Sequence, residues 1–396
     1  MRRQRETEQF EEERVPGKSA GKRMKALLKS RWFRYVLLVA GIPAVLLAAA
    51  GMIKNSKFES YEITKIESGE TESFQYAAVE DAVLKYGTEN AGLIREDGSQ
   101  AWSISYSMQS PALAVCGSTA AIYDKNGTSV VVCGKDGQIG SFSTEMPIVK
   151  AKVAEQGVTA AVLEDSTGTW IQYYDQEGGV IASFKTSMDS TGYPLDISLS
   201  RDGLLMAVSF LKYESGKPVT DLNFYNFGSA GQIQVDNQVS SFSYDNLLVP
   251  EVVYLDEDTC AAFREDGFTL FGGGQIPEKQ QEVTVDQKIV SIFWDESHIG
   301  LILEDQENSS QFWMELYGKS GSLLFRKELD YGYQNVEIKE GQILLSNSAG
   351  FCVYSEKGVE KFRGELNGVT VRQMSAVGRS RFVLVTEEGL YRVQLK

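Results

Sequence analysis

The chain has 396 residues, 42% hydrophobic and 23% charged, a globular composition that excludes a wholly disordered chain and a multi-span membrane protein. Its formal net charge of −15 argues against nucleic acid as a partner, since phosphate contacts need clustered Lys and Arg. One histidine is too few for a zinc site built on several His, and the four cysteines include no Cys-x-x-Cys.

Charge is divided along the chain. Residues 1–34 carry eleven Lys/Arg and five Glu, whereas residues 58–396 carry 26 basic and 49 acidic residues. Between them, Tyr35 to Ile53 forms a run of 19 residues without a charge. As a helix that run covers roughly 28 Å, close to the hydrocarbon thickness of a bilayer. Pro43 near its middle is tolerated in a membrane helix, and Trp32, Phe33 and Tyr35 suit the headgroup level. Ala48-Ala49-Ala50 before Gly51 also fits a signal-peptide cleavage site, but the apolar run exceeds the roughly 7–15 residues of a signal core. The expectation is a retained single span. Seven basic residues between Lys18 and Arg34 face three after the span, Lys54, Lys57 and Lys65, which keeps the N-terminus cytoplasmic. Residues 22–34 alternate basic and apolar side chains, a pattern that supplies retention charge and suits anionic lipid. The first 14 residues read as a charge-mixed tail.

From residue 58 onward, short Val-, Ile-, Leu-, Tyr- and Phe-rich runs alternate with turn dipeptides. Asp-Gly at 97–98, 136–137, 202–203 and 266–267, and Asn-Gly at 126–127 and 367–368, favour hairpins because these residues accept positive φ. Strands are expected at 129–133, 170–174, 204–211, 299–303 and 382–386. One unit recurs: a strand, a polar turn with glycine, then a strand with a large apolar residue. Its glycines are 98, 137, 178, 231, 321 and 358, with gaps of 39, 41, 53, 90 and 37. The gap of 90 reads as two units with a turn near 277–279. A period near forty residues with about four strands is that of propeller blades, sheets packed face to face around a channel.

The phase predicts how the ring closes. Strands near 369–377, 380–387 and 389–396 lack an outermost partner, and residues 58–64 (FESYEIT) begin a strand-like run one period before Gly98. Pairing that run with the last three strands gives eight blades; seven is the alternative if 58–75 is a stalk. Closure leaves only short, protected edges.

Two turns carry a resemblance. Asp97-Gly98-Ser-Gln-Ala-Trp102 resembles the docking turn of quinoprotein-like propellers, and Leu199-Ser200-Arg201-Asp202-Gly203 resembles the S-x-D-G turn of WD40-like and TolB-like propellers. The layout of basic tail, span and propeller is similar to that of membrane-anchored propeller proteins of Gram-positive bacteria. That resemblance implies no activity and no cofactor.

Few residues suggest chemistry. His298, in Trp294-Asp-Glu-Ser-His298, would serve a Ser-His-Asp relay only with a distant serine, and reads as a surface residue beside a hairpin turn. Cys116, Cys133, Cys260 and Cys352 read as buried free thiols; the phase puts Cys116 and Cys133 on the first and third strands of one blade. The acidic runs 256–258 and 304–307 lack calcium-loop spacing and read as solvated turns. Gly272-Gly273-Gly274 is a turn or bulge, with no following helix to make a phosphate cradle. The longest blade carries extra loops at 186–193 and 212–219, where Tyr193, Tyr213 and Tyr244 are candidate partner contacts.

The expected protein is therefore all-β: a cytoplasmic basic tail (1–34), one transmembrane helix (35–53) and an extracytoplasmic propeller (58–396) about five residues from the lipid. Its expected role is non-enzymatic binding or scaffolding of an envelope protein or cell-wall component, with the bilayer held through Tyr35 to Ile53. No catalytic, cofactor or metal residues are assigned. The alternative is a glycan-active hydrolase or lyase, which needs carboxylates converging at one mouth of the ring.

Overall fold

A computed structural model describes residues 57–69, 71–366 and 368–396. The tail, the basic-apolar segment and the predicted span lie outside the described residues, within which no helix is long and apolar enough to cross a membrane. Residues Lys57–Lys396 form one compact unit.

The described residues form eight antiparallel four-stranded sheets. Blade 1 consists of Gln75–Val79, Ala82–Tyr86, Asn90–Ile94 and Gln100–Ser105. Blades 2 to 7 span 111–143, 148–186, 193–245, 251–284, 288–329 and 335–365, each pairing its strands in sequence order. Blade 8 takes its first three strands from Gln373–Gly378, Arg381–Thr386 and Gly389–Leu395, and its outermost from Tyr61–Ser68. Tyr61 pairs with Leu395 and Ser68 with Gly389, so the predicted closure holds and the seven-blade alternative fails. The closing strand begins three residues later than the apolar pattern suggests, because the backbone of 58–60 bonds instead to Lys361 and Lys396, across the end of the ring. The turn expected near 277–279 lies earlier, at Gly273-Gly274, both with positive φ. The connection runs on to Pro277, so it meets the expected place at that residue, and the outermost strand of blade 5, Glu278–Thr284, takes the rest. Halving the gap of 90 misplaces the turn because blades 4 and 5 differ in length.

Burial follows the strand's place in the blade. Second and third strands are covered on both faces, as in Gln342–Ser346 and Gly350–Ser355, where every residue is buried. This is why they read as continuous apolar runs. Outermost strands alternate, as in Val180–Thr186 and Leu323–Leu329, with one face toward solvent. Innermost strands are partly open to the channel, as in Ile148–Val153.

The core is a circle of clusters between blades. Phe293, Ile302, Met314 and Leu316 of blade 6 meet Ile343, Leu345, Cys352 and Tyr354 of blade 7. The seam is packed in the same way: Val377, Val383, Val385 and Leu390 of blade 8 meet Tyr76, Val83 and Ile94 of blade 1, with Ile66 of the closing strand against them.

A docking side chain on each of several outermost strands locks successive blades. Trp102 Nε1 donates to the Gly134 carbonyl of blade 2 at 3.0 Å, as its turn predicts. Phenylalanine does the same packing elsewhere: Phe184 on Tyr225 with centroids 5.0 Å apart, Phe242 on Phe271 at 4.8 Å, and Phe362 on Tyr61 at 5.7 Å. Phe142 lies over Gly178, whose φ is +90° and whose Cβ, if present, would come 2.3 Å from the Phe142 Cβ. Only glycine fits that turn.

Candidate functional site

Turns between first and second strands, and between third and fourth, share one end of the ring. Tyr61 pairs with Leu395 there, so residues 57–60 join the ring at this proximal end too. The eight inner turns at this end contain ten carboxylates against Arg201 and Arg379, with Lys339 beside them on the strand before its turn and Lys319 paired to Asp256. These turns surround a cavity of about 580 Å³ lined by Arg201, Asp256, Asp295, Glu296, Lys339 and Glu340, among others.

The turn resembling S-x-D-G builds one side. Ser200 Oγ donates to Asp202 Oδ1 at 2.6 Å and accepts from the Leu205 N–H at 2.9 Å. With Ser200 and Asp202 bonded within the turn, Arg201 projects from it. Its Nε and Nη2 donate to the two oxygens of Glu155 in blade 3 at 2.7 and 3.1 Å, and its Nη1 donates to Glu296 of blade 6 at 2.7 Å. One guanidinium thus ties turns from blades 3, 4 and 6. Lys339 of blade 7 likewise donates to the Glu80 carbonyl of blade 1.

Beside the cavity, Asp295 Oδ1 lies 2.8 Å from His298 Nδ1 and accepts from the Ser297 N–H, while Oδ2 accepts from the Gly341 N–H of blade 7. His298 Nε2 is 3.9 Å from Glu356. The expectation of a surface histidine therefore fails: its side chain is only 13% exposed, because the inner turns of blades 6 and 7 and Glu356 enclose it.

Burial alone would raise the Asp295 carboxyl, but the His298 hydrogen bond and the Ser297 amide outweigh it and hold the pKa below the usual carboxylate value. The Arg201 hydrogen bond lowers Glu155 as well. Such groups are charged at neutral pH, which suits a cation. A glycosidase would need a neutral carboxylic acid among them.

Glu337 and Glu251, both on innermost strands, shift the other way: burial raises each, and pushes Glu337 up to about 7. Glu337 accepts from the Ala376 N–H of blade 8, and so caps a strand edge facing the channel. Asp196 and Ser198 do the same between blades 4 and 5, accepting from the N–H groups of Val252 and Tyr254 at 3.0 and 2.9 Å. These side chains link innermost strands that share no ladder.

The three candidate tyrosines lie at the opposite, distal end of blade 4, and do not converge. Tyr193 donates to Glu164 of blade 3 at 2.9 Å. Tyr244 packs with Val239 and Phe242 into the cluster between blades 4 and 5. Only Tyr213, 62% exposed near the tip of the hairpin, stands free of such packing.

All four cysteines are free; three are buried and Cys116 is partly so. Burial raises their thiols, Cys116 and Cys352 to about 11 and Cys133 to about 12. The acidic runs behave as turns: Asp256 accepts from the amides of Asp258 and Thr259, and Asp305 from those of Glu307 and Asn308. Among the described residues no group of three or more His, Cys, Asp or Glu is placed to hold a metal.

Sequence reasoning missed the mouth as a unit. Its acids stand in separate turns about one blade apart, and the repeat phase, applied to carboxylates instead of glycines, is the signal that collects them.

Residues 54–395 match a family described as of unknown function, DUF5711. No curated protein matches the sequence. BamB from Moraxella catarrhalis is 12% identical, with a TM-score of 0.50 over 85% of this chain and 100% of that one. Sqt1 from Chaetomium thermophilum, bound to the N-terminus of the ribosomal protein L10, is 12% identical with a TM-score of 0.52, covering 86% and 100%. The computationally designed Ika8 protein is 9% identical with a TM-score of 0.52, covering 84% and 98%. At these identities the likeness is one of fold.

Proposed function

Since the chain belongs to the DUF5711 family of unknown function, we propose from its own geometry that it is a non-enzymatic binding module whose acidic channel mouth receives a cationic segment of a protein partner. The carrying observation is the surplus of inner-turn carboxylates around a 580 Å³ cavity, with Asp295 held in the charged form. Potentials of one sign in a recess attract a partner of the other sign. Sqt1, of similar fold, is bound to the N-terminus of another protein; a terminal segment is a suitable occupant here as well.

In the same proposal, residues 35–53 anchor the module and the ring is extracytoplasmic, so the partner belongs to the envelope. The uncharged run and the flanking Lys and Arg support that location. Protease added outside intact cells should then reach residues 58–396, and protection until lysis would reverse the orientation.

The mouth is tested with the full chain in detergent micelles and a Lys-rich peptide, against an acidic peptide of equal length. The basic peptide should bind more tightly, lose affinity with salt, and weaken about tenfold on Glu296→Gln with Asp256→Asn, a change of about 1.4 kcal/mol. Equal binding of both peptides would refute the mouth as a cation site. The alternative, a glycan-active hydrolase, needs a neutral carboxylic acid that the charged Glu155 and Asp295 do not supply, and turnover of a glycan by the purified chain would overturn the binding role.

A further inference from the structure

Among the described residues fifteen large apolar side chains are exposed, and twelve of them lie at the proximal end. The distal end has only Met188, Tyr213 and Val290. An asymmetry of this size on a ring of repeated blades calls for a partner at one end.

The exposed groups are densest over blades 3 to 5. Val180 and Ile181 begin the outermost strand of blade 3, Leu204 is in an inner turn of blade 4, and Ile276 is in the outer turn of blade 5. The connection 227–237 of blade 4 is the longest of its kind, ends in the short 3-10 helix Val235–Asn237, and bears Ile233 and Val235, 82% and 84% exposed. It is braced: Asn226 Nδ2 donates to the Gln275 carbonyl and Ser240 Oγ to that of Pro277, at 2.8 Å each. Asp236 is the one charged residue in 227–237.

The chain joins the ring at this same end, but at blade 8, across the channel from blade 4. Phe58 is already fixed by its N–H to the Lys361 carbonyl at 2.9 Å. Residues 54–57 between the uncharged run and the ring extend at most about 14 Å. Under the anchoring proposed above, a tether this short at blade 8 holds the proximal end toward the lipid and lets blades 3 to 5 come down on the far side.

We infer that this sector of exposed Val, Ile and Leu seats on the bilayer surface, with Ile233 and Val235 entering the interfacial layer. The inference rests on the proposed anchoring by residues 35–53. Contact is apolar, since the acidic turns nearby disfavour anionic headgroups. The channel mouth then lies close to the lipid, where a segment of another membrane protein would emerge.

The test uses the full chain in phosphatidylcholine vesicles, with and without brominated phosphatidylcholine, and compares Ile233→Trp at the proximal end with Tyr213→Trp at the distal end. Both positions are exposed, so both variants should fold; their circular dichroism checks this. Brominated lipid should cut the emission added at 233 about twofold and leave that added at 213 unchanged. Flotation with the vesicles but no quenching at 233 would overturn the seating and leave the anchor standing. Failure to float would overturn both. Absence of quenching together with crosslinking between copies through 233 would assign the sector to self-association instead, and so reject lipid.

Discussion

Glu337 shows how one buried side chain contributes to the response of the ring to pH. Its pKa, raised by burial to about 7, lies above that of an unfolded glutamate near 4.5. The folded chain therefore binds the extra proton, and the stabilising contribution is complete below about pH 4.5 and lost as pH rises through 7. Lys339 on the same strand and the Ala376 amide oppose the shift without cancelling it. Glu337→Gln keeps an acceptor for the Ala376 N–H and removes the titration. Urea unfolding between about pH 5 and 8 should show a flatter stability profile in the variant, and an unchanged slope would show that Glu337 does not titrate in this range. The thiols give a second residue-scale outcome. With all four raised by burial, native protein at about pH 8 should react slowly with a disulfide reagent, and four thiols should appear on denaturation. A fast-reacting thiol in the native state would contradict the raised thiols.

At the scale of the element, the closing strand matters most. Tyr61–Ser68 supplies the outer partner for the edge of Gly389–Leu395, and Tyr61 lies edge-on to Phe351 and Phe362. Deleting residues 57–68 should expose that edge and the cluster between blades 7 and 8, and the product should aggregate or lose cooperative unfolding. A monomeric, cooperatively melting ring without the strand would show that blade 8 is complete with three. Within the docking turns, Trp102→Phe removes one hydrogen bond and should cost about 1 kcal/mol, whereas Gly178→Ala meets both an unfavourable φ and Phe142 and should cost more. Thermal melts of the two variants would reveal a reversed order.

For the whole molecule, the ring separates its two ends. The acidic mouth and the exposed apolar sector share the proximal end; the long hairpin with Tyr213 stands at the distal end. Shortening 212–219 to a two-residue turn should leave both the fold and peptide binding at the mouth unchanged. Loss of binding would place the site at the distal loops after all.

Strand content, the blade period, the number of blades and the closing pair were legible in the chain, because each depends on local signals: turn glycines, apolar runs and their spacing. His298 and the mouth were not. A turn that looks solvated in sequence becomes a wall of a recess once eight of them meet around a channel, and Arg201 finds Glu155 and Glu296 only because the ring brings blades 3, 4 and 6 together. Likewise alternation marks an outward face, but which end of the ring collects the exposed side chains depends on where the chain joins it. Local sequence determined the blades; which charges and apolar groups became neighbours was decided by closure, since it joins residues hundreds of positions apart.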